Sequence, residues 1–189
     1  MLNKNSFLET IKALDGRCYN IDYHEKRSGI KNITSYLNPP SVGLYRCRLV
    51  YTDDKVEVTY HPYKKRVIKS LKLVYDDNIC YSKKSTNREN IDRLFTKRDS
   101  CDDIIIIKNN LLTDTSIANI ALYKNSRWYT PKSPLLEGTT RQRLIDDAFL
   151  TPIDIKISDI DKFSKIALLN AMINFDIIAN KTIEEIIQC

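Results

Sequence analysis

Apolar and polar positions alternate with a period of two along most of the first half of the chain. Residues 6–14 and 17–23 read as two strands joined at Asp15-Gly16, a dipeptide that favours hairpin turns. The polar stretch His24–Tyr36 predicts a short helix, closed by Asn38-Pro39-Pro40, where proline removes donors and fixes the backbone. Three runs rich in Val, Ile, Leu and Tyr follow, at 43–52, 55–61 and 67–75, with Asp53-Asp54 turning between the first two.

The period then changes. Residues 87–97 place Ile91, Leu94 and Phe95 on one stripe of a helix, and Ile104-Ile105-Ile106-Ile107 reads as a strand buried on both faces. Strands at 117–124 and 127–130 flank an Asn125-Ser126 turn, Asp114 is expected at a turn before the first of them, and 140–149 is helical. The tail from Pro152 mixes both signals. An α+β fold of two small lobes meeting near residues 78–86 is the simplest organisation, divided as 1–80 and 81–189.

With 189 residues the chain can bury a real core. No run approaches the roughly 20 apolar residues of a membrane span. Its polar start, Met1-Leu2-Asn3-Lys4-Asn5-Ser6, lacks the apolar core of a secretory signal, so a cytoplasmic protein is expected. Cys18, Cys47, Cys80, Cys101 and Cys189 are scattered singly, with only His24 and His61 as imidazoles, which argues against a metal site and for small buried thiols. The net charge is +6, but only Lys64-Lys65-Arg66 and Lys83-Lys84 form basic runs, and most other cations lie near acids in the sequence. A solvated surface is expected, with no nucleic-acid partner and a mild field that can attract an anionic substrate.

Several short motifs carry chemistry. Tyr23-His24-Glu25-Lys26-Arg27 ends on a guanidinium, whose planar fork suits a phosphate. Lys84-Ser85-Thr86-Asn87-Arg88 offers an amine that becomes a nucleophile when burial or nearby cations lower its pKa. Asp114 supplies a carboxylate, and Gly138-Thr139-Thr140-Arg141 opens a helix whose amides can meet an anion. Taken singly, each has a plainer reading: a surface helix, an exposed lysine pair, a turn residue, an N-cap.

In this order the motifs resemble the fold-type IV pyridoxal-phosphate enzymes, the class IV aminotransferases and 4-amino-4-deoxychorismate lyase. The resemblance runs from about Phe7 to the C-terminus. It implies an N-terminal antiparallel-sheet lobe and a C-terminal α/β pseudo-barrel lobe that carries the lysine, with the cofactor in a cleft between them. It also implies pyridoxal 5'-phosphate bound covalently by Lys84. By the same likeness Arg27, Gly138, Thr139, Thr140, Asn170 and Ala171 meet the phosphate, Arg88 contacts the cofactor, and Asp114 stands where the family usually has glutamate beside the ring nitrogen.

Lys84-x-x-Asn87-Arg88 and Leu169-Asn170-Ala171-Met172 resemble the lyase branch, which implies pyruvate elimination to 4-aminobenzoate for folate synthesis. An amino-acid aminotransferase and a non-catalytic cofactor-binding protein are the alternatives. The family's glycine-rich leader before Phe-Leu-Glu-Thr is missing, so a shortened member is expected, with a small amino substrate and a homodimeric assembly. Tyr23, Tyr45, Tyr81 and Trp128 can line a pocket, although strand aromatics more often pack.

Overall fold

The computed structural model describes residues 6–81, 83–178 and 181–188, with only the backbone at Gln188. It divides into two compact units, residues 1–65 with 83–87, and residues 66–82 with 88–189. The division thus falls at 65/66 rather than 80/81, and Lys84 sits in the first unit rather than the second. The reason is local pairing: Ser85 bridges Phe7, and the Leu8 amide donates to the Lys84 carbonyl at 2.8 Å.

The first unit is an antiparallel sheet, β1 (Phe7–Leu14), β2 (Arg17–Cys18), β3 (Leu44–Tyr51) and β4 (Val56–Pro62), in the order β2-β1-β3-β4. The predicted second strand at 17–23 shrinks to two residues. Asn20 takes a left-handed φ of 60°, which breaks the extended run and starts helix α1 (Ile21–Ser28). Gly29, at φ 77°, ends that helix, as the left-handed C-terminal position requires, and a 3-10 turn follows at Ile33–Tyr36. Helix and turn pack through Ile21, Ile30, Ile33 and Leu37 on the sheet face formed by Ile11, Ala13, Cys47, Leu49 and their neighbours.

The second unit is built on a larger mixed sheet. Its strands are β5 (Leu71–Tyr75), β6 (Asp103–Lys108), β7 (Leu111–Thr115), β8 (Asn119–Lys124), β9 (Arg127–Pro131), β10 (Leu150–Ile153), β11 (Lys165–Asn170), β12 (Asn174–Ile177) and β13 (Ile187–Gln188). They run in the order β10-β9-β8-β7-β6-β5-β13, with β11 branching from β8 and carrying β12. Helices α2 (Glu89–Phe95), α3 (Thr139–Asp146) and α4 (Ile183–Ile186) complete it.

Ile104 to Ile107 are all fully buried and divide between two clusters, Ile104 and Ile106 on one face and Ile105 and Ile107 on the other. A run apolar at every position is what a sheet covered on both faces demands. Among the described residues no helix is long and apolar enough to cross a membrane.

One strand escapes the hydrophobic pattern. β7 reads Leu-Leu-Thr-Asp-Thr, yet Thr113, Asp114 and Thr115 are all buried. Thr113 Oγ1 donates to the Ile106 carbonyl at 2.7 Å and Thr115 Oγ1 to the Ala118 carbonyl at 3.2 Å, so the polar atoms are satisfied inside the sheet. Asp114 therefore lies within a strand, paired with Asn119, and not at a preceding turn. The cysteines also divide: Cys47 and Cys101 are buried, Cys18 is half-buried and Cys80 is exposed, while Cys189 and residues 1–5 lie outside the described residues.

Candidate active site

In the first unit, β1 presents Glu9 on the same face as Ile11 and Ala13, so a carboxylate enters the core. It persists there because α1 supplies two partners at i and i+3, His24 and Arg27. Arg27 Nε donates to Glu9 Oε1 at 2.9 Å and Nη2 to Oε2 at 2.5 Å, a two-pronged guanidinium–carboxylate pair. His24 Nδ1 lies 2.5 Å from the same Oε2. Burial pushes the Glu9 carboxyl up, but the hydrogen bonds from His24 and Arg27 outweigh it and hold the pKa below its ordinary value.

His24 is depressed first by burial, with the charges of Arg27 and Lys84 adding to it against the pull of Glu9. The ring is neutral at physiological pH and donates from Nδ1 to the carboxylate. Nε2 is then a fully buried acceptor, and among the described residues nothing donates to it. Leaving such a buried acceptor unpaired costs about 1–3 kcal/mol.

Lys84 is half-buried and belongs to this unit. The segment carrying it is zipped onto the start of β1: Thr86 N donates to the Ser6 carbonyl at 3.0 Å, and the Ser6 and Thr86 hydroxyls meet at 2.5 Å. Lys83 is committed elsewhere, its ammonium 5.2 Å above the Phe7 ring. The structure thus brings Arg27, His24 and Lys84 together in one unit.

In the second unit three loops meet. Asp114 Oδ1 accepts from Asn119 Nδ2 at 2.7 Å, and Oδ2 from the Leu136 amide at 2.9 Å. Asn119 Nδ2 also donates to the Leu136 carbonyl at 2.8 Å, which ties the loop before α3 to β7 and β8. Gly138 is the N-cap of α3, and a Cβ there would overlap Asn119 Oδ1 and lie 3.1 Å from its Cγ. Glycine is required by that close approach and not by its φ of −68°.

No side chain caps the first turn of α3, where Thr139, Thr140 and Arg141 are buried. Asn170 ends β11, its Oδ1 accepting from the Met172 and Ile173 amides at 2.9 and 3.0 Å, in the turn that also holds Ala171. Its Nδ2 donates to the Ile117 carbonyl at 3.3 Å, and Arg88 Nη2 donates to the Ser116 carbonyl at 2.7 Å. Arg88, Asp114, Gly138, Thr139, Thr140, Asn170 and Ala171 therefore gather about the 114–119 segment.

Burial is the largest influence on Asp114 and raises it to about 6, against the hydrogen bonds of Asn119 and Leu136 and the charge of Arg141. Arg141 is itself buried, donating from Nη2 to the Pro131 carbonyl at 2.8 Å, with Nε unpartnered among the described residues.

Sequence reasoning missed Glu9, Asn119 and Arg141 as members of these clusters. Glu9 was detectable, since an acid on the inward parity of an otherwise apolar strand must have a buried partner. Nothing local announces Asn119; Arg141 closes the Gly138-Thr139-Thr140-Arg141 motif, but its carbonyl partner lies on β9, which that motif does not reveal.

A family model described as amino-transferase class IV matches residues 53–179. An uncharacterised protein of Haemophilus influenzae is 34% identical over 180 residues, covering 87% of this chain and 96% of that protein. The solved structure of a protein from Haemophilus somnus 129pt, provisionally named 4-amino-4-deoxychorismate lyase, aligns at 31% identity with a TM-score of 0.81, over 91% of this chain and 98% of that one. A hypothetical aminotransferase from Mycobacterium tuberculosis in its PLP-bound form aligns at 15% identity with a TM-score of 0.75, over 93% of this chain and 81% of that one, a likeness of fold.

Proposed function

Because this chain belongs to the class IV aminotransferase family, we propose that it is a pyridoxal-phosphate enzyme of the 4-amino-4-deoxychorismate lyase type, with Lys84 as its covalent lysine. The observation that carries the reading is the cup in the second unit, where the uncapped first turn of α3, Asp114 and the Asn170 turn converge on one segment. Free amides at a helix N-terminus, with the positive end of its dipole, fit a phosphate. The choice of lyase rests on the Haemophilus somnus protein, which matches nearly end to end and bears that name, and on Asn170-Ala171.

The residues present fit the cofactor. When bound, pyridoxal phosphate serves as the electron sink for bonds broken at the substrate's Cα. Lys84 would be the residue that holds the cofactor covalently and the base that moves the proton at the substrate's Cα. Arg27, held by Glu9, would offer its guanidinium to the phosphate. Asp114 accepts from the Asn119 side chain and from the Leu136 and Leu135 amides, and its remaining acceptor capacity would serve a ring N–H. Arg88 and Asn170 fix the Ser116 and Ile117 carbonyls, which keeps the 114–119 turn rigid. The reaction so supported would be elimination of pyruvate to leave 4-aminobenzoate, for folate synthesis in the cytoplasm. A homodimer is part of the same reading, and sedimentation equilibrium reads it.

Protein mixed with pyridoxal phosphate should develop a visible absorption band that borohydride traps on Lys84 and that Lys84→Ala abolishes. Release of pyruvate from aminodeoxychorismate, without amino transfer to 2-oxoglutarate, selects the lyase. The reverse selects an amino-acid aminotransferase, which the Mycobacterium tuberculosis fold neighbour also suggests. A protein that stays colourless is a non-catalytic relative, and the proposal falls.

A further inference from the structure

A cavity of about 340 Å³ opens in the second unit between the β8–β9 turn, the end of β10 and a 3-10 turn at Ile157–Lys162. It lies at the far end of two strands from the 114–119 segment. β8 begins at Asn119 and ends at Lys124, and antiparallel β11 sets Leu169 across from Asn119 and Lys165 across from Tyr123. Five residue steps of about 3.3 Å therefore put about 17 Å between Asn119, which holds Asp114, and Lys124, which lines the cavity.

The floor is an outcrop of the core. Tyr129, Ile153, Ile155 and Phe163 line it, and all four belong to or pack on the cluster that holds Ile105 and Ile107. The Tyr129 and Phe163 rings meet edge to face with their centroids 6.2 Å apart. Backbone bonds fix the walls: the Lys132 amide donates to the Ile153 carbonyl at 2.8 Å, the Leu112 amide to the Ile155 carbonyl at 2.9 Å, and the Ser164 amide to the Tyr123 carbonyl at 2.8 Å. A preformed concavity of this size with an apolar lining suits one small molecule.

The rim is charged, and only half of its charge is matched. Lys162 Nζ donates to Asp159 Oδ1 at 2.6 Å, which commits one cation and one acid. Lys124 and Asp154 remain, and among the described residues neither forms an ion pair. Asp159 also feels the Lys124 charge, but Lys124 Nζ rests over the Phe163 ring, 5.8 Å from its centroid. One ammonium and one carboxylate above an apolar floor are complementary to a molecule with one carboxylate, one ammonium and an apolar body. A dianion or a dication would set a like charge against one of the two.

We propose that this cavity is a second ligand site, which takes a free amino acid with an aromatic side chain: its carboxylate on Lys124, its ammonium on Asp154 and its ring against Phe163 and Tyr129. Two rings already set edge to face favour a third aromatic over an aliphatic chain. The inference is independent of the assignment of Lys84 as the reacting amine.

Amide spectra of the ¹⁵N-labelled, cofactor-free full chain, titrated with L-phenylalanine, test it. Saturable shifts should centre on residues 124–125, 153–155 and 162–163. They should persist in Lys84→Ala, which separates this cavity from the proposed cofactor site. 3-Phenylpropionate, which lacks the ammonium, and phenethylamine, which lacks the carboxylate, should each bind about three-fold more weakly or worse, as loss of one solvent-exposed ion pair requires. L-Alanine, which lacks the ring, should bind about ten-fold more weakly or worse. Lys124→Gln and Asp154→Asn should each weaken L-phenylalanine about three-fold, and the double variant about ten-fold. Thermal melts verify that each variant is folded.

Absence of saturable shifts up to about 10 mM, shifts centred on other segments, equal affinity for alanine, or unchanged affinity in the folded double variant would overturn the site. Loss of binding in a folded Lys84→Ala variant would place phenylalanine at the proposed cofactor site and overturn it as well. The visible cofactor band reads the enzyme assignment separately, so either reading can fall while the other stands.

Discussion

Gly138→Ala separates two reasons for a glycine before α3. The backbone at 138 has φ −68° and ψ 139°, which alanine adopts freely, so no conformational strain is expected. The new methyl would instead overlap Asn119 Oδ1 and drive that side chain from its place. Asn119 Nδ2 would then lose its bonds to Asp114 at 2.7 Å and to the Leu136 carbonyl at 2.8 Å. Each buried group left unpaired costs about 1–3 kcal/mol, while alanine's smaller unfolded-state entropy returns about 0.4–1 kcal/mol.

The net loss should be about 2–4 kcal/mol, read as a lower urea midpoint at constant slope. In an Asn119→Ala background the obstacle is gone, and Gly138→Ala should be neutral or stabilising by up to about 1 kcal/mol. A loss of about 2 kcal/mol or more that persists in that background would refute the packing argument, as would a single variant within about 0.5 kcal/mol of the parent.

Two further substitutions read the buried carboxylates. Glu9→Gln should cost about 3 kcal/mol or more, because it removes the charge that compensates the Arg27 guanidinium beside a buried histidine. Glu9 titrates lower in the fold than in the unfolded chain, so its contribution is present above its ordinary 4.5 and is lost as the pH falls through the lowered folded value. Acid titration of the stability should show that slope in the parent and not in the glutamine variant. Asp114 has the opposite sign: raised from 3.8 to about 6, it favours the fold when protonated, and that contribution is lost as the pH rises through about 6. The span corresponds to about 3 kcal/mol at 1.36 kcal/mol per unit. Urea midpoints at pH 4 and pH 7 should therefore converge in Asp114→Asn relative to the parent, and an unchanged difference would sink the assignment.

The placement of these groups links fold to chemistry. Asp114 serves as a strut between β7 and the loop before α3 as well as a charged group, because both oxygens reach donors on other segments. The same economy holds for Arg27, whose fork is fixed by an acid one strand away before any ligand arrives. Preorganisation of this kind would lower the entropic cost of holding the proposed phosphate in one orientation.

Residues whose neighbours in sequence define their surroundings were legible from the chain alone. The alternation in β1, β3 and β4, the isoleucine run of β6 and the stripe of Ile91 and Leu94 on α2 fixed those elements, because apolar side chains at the right period must be removed from water. The ordered motifs with Lys84, Asp114 and Gly138 pointed to the family for the same reason: spacing along the chain sets which atoms one segment can present.

Tertiary structure alone decided three other matters. β7 is a strand because it pairs with β6, where the Thr113 hydroxyl bonds the Ile106 carbonyl, which no periodicity reveals. Lys84 joins the first unit because 84–86 pairs with the start of β1 from nearly eighty residues away. Lys12, Arg46, Arg48 and His61 become one cationic face only through strand register. The last two depend on hydrogen bonds between distant segments, whose partners are chosen by the folded geometry and are encoded nowhere in local sequence.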